Sequence, residues 1–181
     1  MRWAATAVTL FRAVLGPVVA ALIVWDHGWA AFWLFLVAIA SDLVDGWAAR
    51  RWGSPEGLGD WLDPVCDKVL TDCVWAALWF VQWAPTWLVL LSVARDWIVV
   101  LGWCIARWRG HRWKSTPIAQ VAVAYQGTAI AILVFHGPWL GVDWPSVGTI
   151  LGCMGLALSA FAPLSTAWAL RRSVSERRAA G

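Results

Sequence analysis

Residues 74–94 read VWAALWFVQWAPTWLVLLSVA, a run of 21 residues without lysine, arginine, aspartate or glutamate. A helix needs roughly 20 mainly apolar residues to cross the hydrocarbon core of a bilayer. The apolar pattern continues beyond both ends of the run, and a connection near residues 83–86 divides it. The stretch therefore predicts two adjacent transmembrane helices, over 63–84 and 86–107, rather than part of a soluble domain.

The same rule, applied outward, divides the whole chain of 181 residues into apolar spans. Hydrophobic residues make up 61% of the chain and charged residues 14%, too little charge to cover a soluble protein of this length. The predicted fold class is all-α, a polytopic membrane bundle of six transmembrane helices. A single transmembrane domain is expected over 1–170, followed by a basic tail over 171–181. The spans are predicted at 6–25, 28–50, 63–84, 86–107, 117–136 and 146–170.

The positions of lysine and arginine predict the orientation of this bundle. Basic residues precede the first span, close the second, and follow the fourth and sixth, in the stretches around 2, 50–51, 107–114 and 171–178. The other three connections contain no lysine or arginine. Because positive charge concentrates in short cytoplasmic loops, both termini are predicted to be cytoplasmic. We therefore expect a multi-pass protein of the cell inner membrane, with membrane lipids as neighbours.

Acidic residues are concentrated where the second and third predicted spans meet the cytoplasm. Of eleven acidic residues, six fall between positions 42 and 67: Asp42, Asp45, Glu56, Asp60, Asp63 and Asp67. Residues three or four apart in a helix share one face, so each span presents a pair of aspartates. The two spans are expected to be antiparallel neighbours, which would bring both pairs toward one point.

Four carboxylates at one point repel each other and need cations between them. The nearby Lys68 and Arg50 cannot alone offset four or more acids. Hard divalent ions such as Mg²⁺ and Mn²⁺ prefer carboxylate oxygen, and pairs of them about 3.5–4 Å apart serve displacement at phosphorus. The alternatives are a solvated acidic loop and, from a different class of protein, a divalent-cation carrier. A carrier predicts acids accessible from both sides, whereas these lie at cytoplasmic ends.

The acidic segment resembles the signature of a known enzyme family. From Ser41 the chain reads SDLVDGWAARRWGSPEGLGDWLDPVCDK. This stretch contains D-x-x-D-G-x-x-A-R-x8-G-x-x-x-D-x-x-x-D, the signature of the CDP-alcohol phosphatidyltransferases, and every fixed position is matched. Eight specified residues at the correct spacing make the resemblance specific. The matching residues are Asp42, Asp45, Gly46, Ala49, Arg50, Gly59, Asp63 and Asp67.

The resemblance implies a function for each matching residue. Asp42, Asp45, Asp63 and Asp67 would bind two divalent ions, Mg²⁺ or Mn²⁺, and Asp67 is also the implied base for the acceptor hydroxyl. The implied nucleotide and diphosphate site consists of Asp42, Gly46, Ala49, Arg50 and Gly59. Close helix packing is an alternative reason for the small residues, and a positive-inside anchor is one for the arginine. The implied reaction transfers a phosphatidyl group from CDP-diacylglycerol to an alcohol and releases CMP, so 1–170 would be a catalytic domain.

The acceptor alcohol is predicted from basic residues that are expected to enter the same cytoplasmic cavity as the four aspartates. Arg95 lies inside the fourth span, where an arginine usually faces the bundle interior and pairs with an anion. Arg112 and Lys114 follow that span, and all three are candidate acceptor ligands, although a salt bridge to Asp96 or Asp72 would also explain Arg95. No role is assigned to Asp60 or Asp72.

Three further segments look like bacterial phosphatidylglycerophosphate synthases, which use glycerol 3-phosphate. They are TLFRAVLGPVV, ARDWIVVLG and HRWKSTPIAQ. Those enzymes usually have glutamate where this chain has Asp96, and Pro117 is a second departure, so phosphatidylglycerol, serine, inositol phosphate and choline remain alternative acceptors. Family members are commonly homodimers, which makes a homodimer an expectation here. A nucleic-acid partner is not expected.

Overall fold

The structure is a computed structural model that describes residues 2–52, 59–109, 116–136 and 141–179. Side chains are described for residues 11, 13–41, 65–66, 68–106, 108–109, 116–136 and 141–161. The described residues form six α-helices and no strand, as the sequence predicts. The helices are α1 (Arg2–Val24), α2 (Gly28–Trp52), α3 (Gly59–Phe80), α4 (Thr86–Trp108), α5 (Pro117–Phe135) and α6 (Trp144–Ala179).

The largest differences from the predicted boundaries are in α3, which begins and ends four residues earlier than predicted, and at the end of α6. Gly59, expected in the loop before the third span, is the first residue of α3. The last helix continues to Ala179, nine residues beyond the predicted end of the sixth span, and so includes most of the basic tail. Residues 171–179 contain neither glycine nor proline, so nothing in that sequence interrupts the helical hydrogen bonding.

Several helices are long and apolar enough to lie across a bilayer. Within the described part of the chain, the segments that meet this criterion are Thr86–Ala106, Pro117–Phe135 and Trp144–Phe161. Two shorter apolar helical segments are Ala13–Val24 and Gly28–Ser41. Large apolar side chains on these helices are exposed at the protein surface. Examples are Leu90 and Ile98 of α4, which are 64% and 68% exposed. This distribution is that of an integral membrane protein, and the crossing of all six helices stays a prediction.

The three connections without lysine or arginine meet at one end of the bundle. The ring of Trp83, in the α3–α4 connection, stacks on His136 at the end of α5, with centroids 4.3 Å apart. A Cβ placed on Gly28, where α2 begins, would lie 3.2 Å from the carbonyl oxygen of Val134. Phe135 packs edge-on against Trp29 and Trp144. We call this the aromatic end; α2 begins at it and runs away from it.

Close helix contacts depend on glycine at two places. On α6, a Cβ at Gly148 would come within 2.7 Å of Leu133, and one at Gly155 within 3.2 Å of the carbonyl oxygen of Ala122. Small residues of this kind let membrane helices approach closely. Gln126 lies in the same contact, buried, and its amide nitrogen donates to the carbonyl oxygen of Gly152 at 3.3 Å. Its oxygen accepts from Ser92 at 3.5 Å, so one side chain joins α4, α5 and α6.

The second close contact joins α1 and α3. A Cβ at Gly16 would lie 3.0 Å from the Cα of Leu70 and 3.4 Å from the carbonyl oxygen of Val69. These are backbone atoms, which cannot rotate away as the end of a side chain can. The absence of a side chain at Gly16 therefore sets the distance between the two helices at Leu70, three residues after Asp67.

We expect Gly16→Ala to destabilise the protein by about 1–3 kcal/mol, because the added methyl group forces α1 and α3 apart. The measurement is the thermal unfolding midpoint in detergent. Gly102→Ala is the matched control, since a Cβ there would meet nothing within 4 Å, and alanine is the better helix former. Equal midpoints for the two variants would contradict the prediction.

Candidate active site

The predicted metal ligands lie on two helices that follow each other in the chain. Asp42 and Asp45 are in the C-terminal half of α2, and Asp63 and Asp67 are in the first nine residues of α3. The side chains of all four lie outside the described part of the structure. Their convergence on one metal site therefore stays a prediction, which the helical placement of each pair supports.

A small apolar cluster relates these two segments to each other. Leu15 of α1, Ala38 of α2 and Leu70 of α3 are buried together. Ala38 is four residues before Asp42, and Leu70 is three residues after Asp67, about one helical turn in each case. Asp42 and Asp67 thus each lie about one turn from this cluster, on the side that faces away from the aromatic end.

The other predicted contact residues are placed only by their helices, or not at all. Gly46, Ala49 and Arg50 belong to α2, and Gly59 begins α3, but their side chains lie outside the described part. Arg112 and Lys114 lie outside the described residues altogether. Among the described side chains, no group of three or more His, Cys, Asp or Glu could hold a metal ion. The predicted nucleotide and acceptor contacts of these six residues accordingly stay predictions.

Arg95 has a described partner, and it is one of the two that the sequence offered. Its guanidinium donates to Oδ1 of the neighbouring Asp96. The arginine side chain is 17% exposed, and its Nε is buried without a hydrogen-bond partner among the described residues. The salt bridge involves Nη1 of the guanidinium and leaves Nε without a partner among the described residues. Acceptor binding by Arg95 is neither shown nor contradicted by this contact.

Asp96 also forms an ion pair with a second cation, which belongs to α3. Nζ of Lys68 lies 3.2 Å from Oδ1 of Asp96, and the two side chains are 13% and 5% exposed. Two cations thus share one buried carboxylate. Lys68 is the residue directly after Asp67, so this ion pair joins α3 to α4 beside the predicted catalytic residue. We call Lys68, Arg95 and Asp96 the charged cluster.

Asp72 lies close to the charged cluster, one turn after Lys68. Both of its carboxyl oxygens are buried, and neither has a hydrogen-bond partner among the described residues. The side chain lines a groove of about 570 Å³ between α3 and α4, which the indole of Trp97 also lines. The rest of the lining is mainly apolar, including Val69, Val93 and Leu90.

Comparison with known proteins identifies the family. The model of the CDP-alcohol phosphatidyltransferase family matches residues 2–161, most of the chain. The chain belongs to this family. The match includes the eight signature positions and the charged cluster, and it makes the protein a phosphatidyltransferase, an enzyme rather than a cation carrier.

Three curated relatives of this transferase carry the same name. The chain is 28% identical to proteins named CDP-diacylglycerol--glycerol-3-phosphate 3-phosphatidyltransferase from Shigella flexneri serotype 5b (strain 8401) and Shigella boydii serotype 4 (strain Sb227). The protein of that name from Escherichia coli (strain K12) is equally similar. Each alignment covers 96% of this chain and 94% of the relative. Membership places the transferase in phospholipid biosynthesis.

The donor set of this phosphatidyltransferase fits the divalent ions that the family implies. Four aspartates on two helices supply only carboxylate oxygen, the ligand that Mg²⁺ and Mn²⁺ prefer over nitrogen or sulfur. Two lie in each helix at helical spacing. The chemistry of these residues is therefore suited to hard divalent ions, whose number and identity stay predictions.

The sequence identified the signature of the transferase but not the partner of Lys68. The sequence predicts Lys68 only as a counter-charge for the aspartates, and Asp96 only as a partner for Arg95. The available signal was an aspartate inside an apolar span, which usually has a specific partner. The identity of that partner depends on how α3 and α4 pack.

Proposed function

We propose that this transferase moves the phosphatidyl group of CDP-diacylglycerol to glycerol 3-phosphate and releases CMP. The observation that carries the proposal is the similarity over 96% of the chain to relatives that bear this activity in their name. The intact signature supports the donor half of the reaction, because its residues are the ones that the family uses for the CDP group. The acceptor half rests on the relatives and on the basic residues of α4.

In the proposed reaction the acceptor hydroxyl attacks the lipid-side phosphorus of CDP-diacylglycerol. A new oxygen–phosphorus bond forms there, the bond from phosphorus to the CMP oxygen breaks, and CMP leaves with the electron pair. Asp67 takes the hydroxyl proton, a role that a carboxylate within hydrogen-bond reach can perform. Arg50 is suited to hold the diphosphate by paired hydrogen bonds. Gly46 and Ala49 leave room for the nucleotide beside α2.

Asp42, Asp45, Asp63 and Asp67 are the residues that would hold the implied cofactor. Two Mg²⁺ or Mn²⁺ ions, when bound, supply positive charge that stabilises the developing negative charge on the phosphates. The protein contributes position: the two acidic segments are fixed by α1, which contacts both through the cluster at Leu15.

Glycerol 3-phosphate is favoured over uncharged acceptors by Arg95 of α4. Lys68 is paired with Asp96, whereas Nε of Arg95 has no hydrogen-bond partner among the described residues. A phosphate is the kind of anion that such a guanidinium binds. Arg112 and Lys114 complete the proposed acceptor site. Phosphatidylglycerol and inositol phosphate also carry phosphate, so the assay must compare them.

The proposed site faces the cytoplasm, in the inner membrane, with all six helices crossing the bilayer. The acidic segments lie away from the aromatic end, where the connections without lysine or arginine meet, and those connections are expected outside the cytoplasm. The exposed apolar face of α4, with Leu90, Ile98 and Leu101, is suited to lipid chains. A second copy of the chain would cover the same kind of surface in the homodimer that the family resemblance implies.

The decisive test is an assay of the purified, detergent-solubilised protein with CDP-diacylglycerol and Mg²⁺. Candidate alcohols are supplied one at a time, and CMP release is measured together with the lipid product. We expect CMP and a phosphatidylated product with glycerol 3-phosphate, and neither above background with serine or choline. Turnover with phosphatidylglycerol or inositol phosphate instead would overturn the acceptor and keep the family reaction. Absence of CMP with every alcohol would contradict the function.

A further inference from the structure

Burial of the ion pair between Lys68 and Asp96 has a cost in desolvation free energy. Asp96 lies on the buried face of α4, which at four-residue intervals consists of Leu88, Ser92, Asp96 and Val100. In a membrane helix an ionisable residue on such a face is costly and is usually functional. A buried ion pair is often no more stabilising than apolar residues of the same volume. Stability alone therefore does not explain the pair.

The pair lies beside the end of the α3–α4 groove that is farther from the aromatic end. Toward the aromatic end, Trp75 and Leu78 of α3 belong to the same buried core as Leu88 of α4. Beside that core, a groove between the two helices extends from Trp79 and Thr86, near the aromatic end, to Val69 and Trp97. At the far end of the groove, Lys68 and Asp96 join the two helices. The pair thus links the segment of α3 that follows Asp67 directly to α4.

The segment that the pair fixes is the catalytic half of α3. Lys68 follows Asp67 directly, so the two Cα atoms differ by about 1.5 Å along the helix axis. A rotation or slide of α3 that breaks the pair moves Asp67 by a similar distance. Misplacement of a reacting group by about 1 Å can lower a rate on the order of 100-fold.

We propose that Lys68 and Asp96 are positioning residues for phosphatidyl transfer, which hold the Asp67 segment of α3 in place against α4. Asp96 is the anchor, because it also accepts from Arg95 and is buried more completely than its partners. The inference rests on the proposed function, since it concerns how well Asp67 performs its role in that reaction.

The test compares kcat, both KM values and the unfolding midpoint for wild type, Lys68→Met, Lys68→Arg and Asp96→Asn in the CMP-release assay. Lys68→Met keeps the apolar part of the side chain and removes the charge. We expect its kcat to fall about 10- to 100-fold with both KM values nearly unchanged, because the loss is in transition-state geometry. Lys68→Arg, which can reform the pair, should recover most of the rate. The double variant with Asp96→Asn should be no slower than Asp96→Asn alone.

Gln126→Leu is the control for general loosening. It removes the buried hydrogen bonds of Gln126 to Ser92 of α4 and to the carbonyl oxygen of Gly152 of α6, neither of which involves α3. We expect its unfolding midpoint to fall and its kcat to stay near that of wild type. Wild-type kcat in Lys68→Met, failure of Lys68→Arg to recover the rate, or an equal loss in Gln126→Leu would each overturn the positioning role. Absence of turnover in wild type would instead overturn the proposed function and, with it, this inference.

Discussion

Asp67→Asn is expected to abolish CMP release, with a fall in kcat of at least about 1,000-fold. Loss of a general base typically costs about 100- to 10,000-fold, and an amide is also a poorer ligand than a carboxylate for hard divalent ions. The change keeps the size and shape of the side chain, so the helix that carries it should form as before. CMP release from CDP-diacylglycerol and glycerol 3-phosphate is the measurement, with saturating amounts of both substrates.

Asp143→Asn is the matched control for this substitution. Asp143 lies at the aromatic end, where its carboxylate accepts from the hydroxyl of Ser146 at 2.5 Å. Asparagine is also a good residue at a helix start, so neither stability nor kcat should change much. Turnover by Asp67→Asn within about tenfold of wild type would remove Asp67 from the role of base, since even a modest general base contributes more.

Removal of divalent metal is expected to lower kcat by at least about 100-fold, because charge neutralisation at the transferred phosphate contributes several kcal/mol. Mg²⁺ or Mn²⁺ should restore the rate. Ca²⁺ should not restore it, because Ca²⁺ prefers more ligands at longer distances than Mg²⁺ does. The measurement is CMP release after chelation and dialysis, followed by titration with each ion.

A second measurement separates metal binding from catalysis. Without divalent ions the four aspartates repel each other, so the unfolding midpoint of wild type should fall on chelation and rise again with Mg²⁺. In the variant Asp42→Asn this response should be smaller, because one ligand is lost and one charge no longer repels. An unfolding midpoint that ignores chelation in both proteins would contradict a metal site made of these residues.

Much of the helical architecture could be predicted from the sequence. The six apolar segments became six helices, and four of them begin within four residues of the predicted start and end within two of the predicted end. Apolar runs of this length are local properties, and in lipid a helix is the way for one segment to satisfy its backbone. The end of α6 was missed because hydropathy marks where a segment leaves the membrane, not where its helix ends.

Prediction was less complete for the site. The spacing of Asp42, Asp45, Asp63 and Asp67 was sufficient to predict two acidic helix faces and to indicate the family. Arg95 was correctly considered as a partner for Asp96, because neighbours in sequence are also neighbours in space. Lys68 was not assigned to Asp96, which is 28 residues away on another helix.

The sequence by itself determined the number of helices and the family, and it predicted which residues carry the donor chemistry, because hydropathy and motif spacing are local properties of the chain. Only the tertiary structure decided that Gly16 sets the approach of α1 to Leu70 and that Asp96 joins Lys68 to Arg95. Those contacts depend on the distance and rotation of packed helices. The same hydropathy pattern fits many such arrangements, and close packing selects one of them.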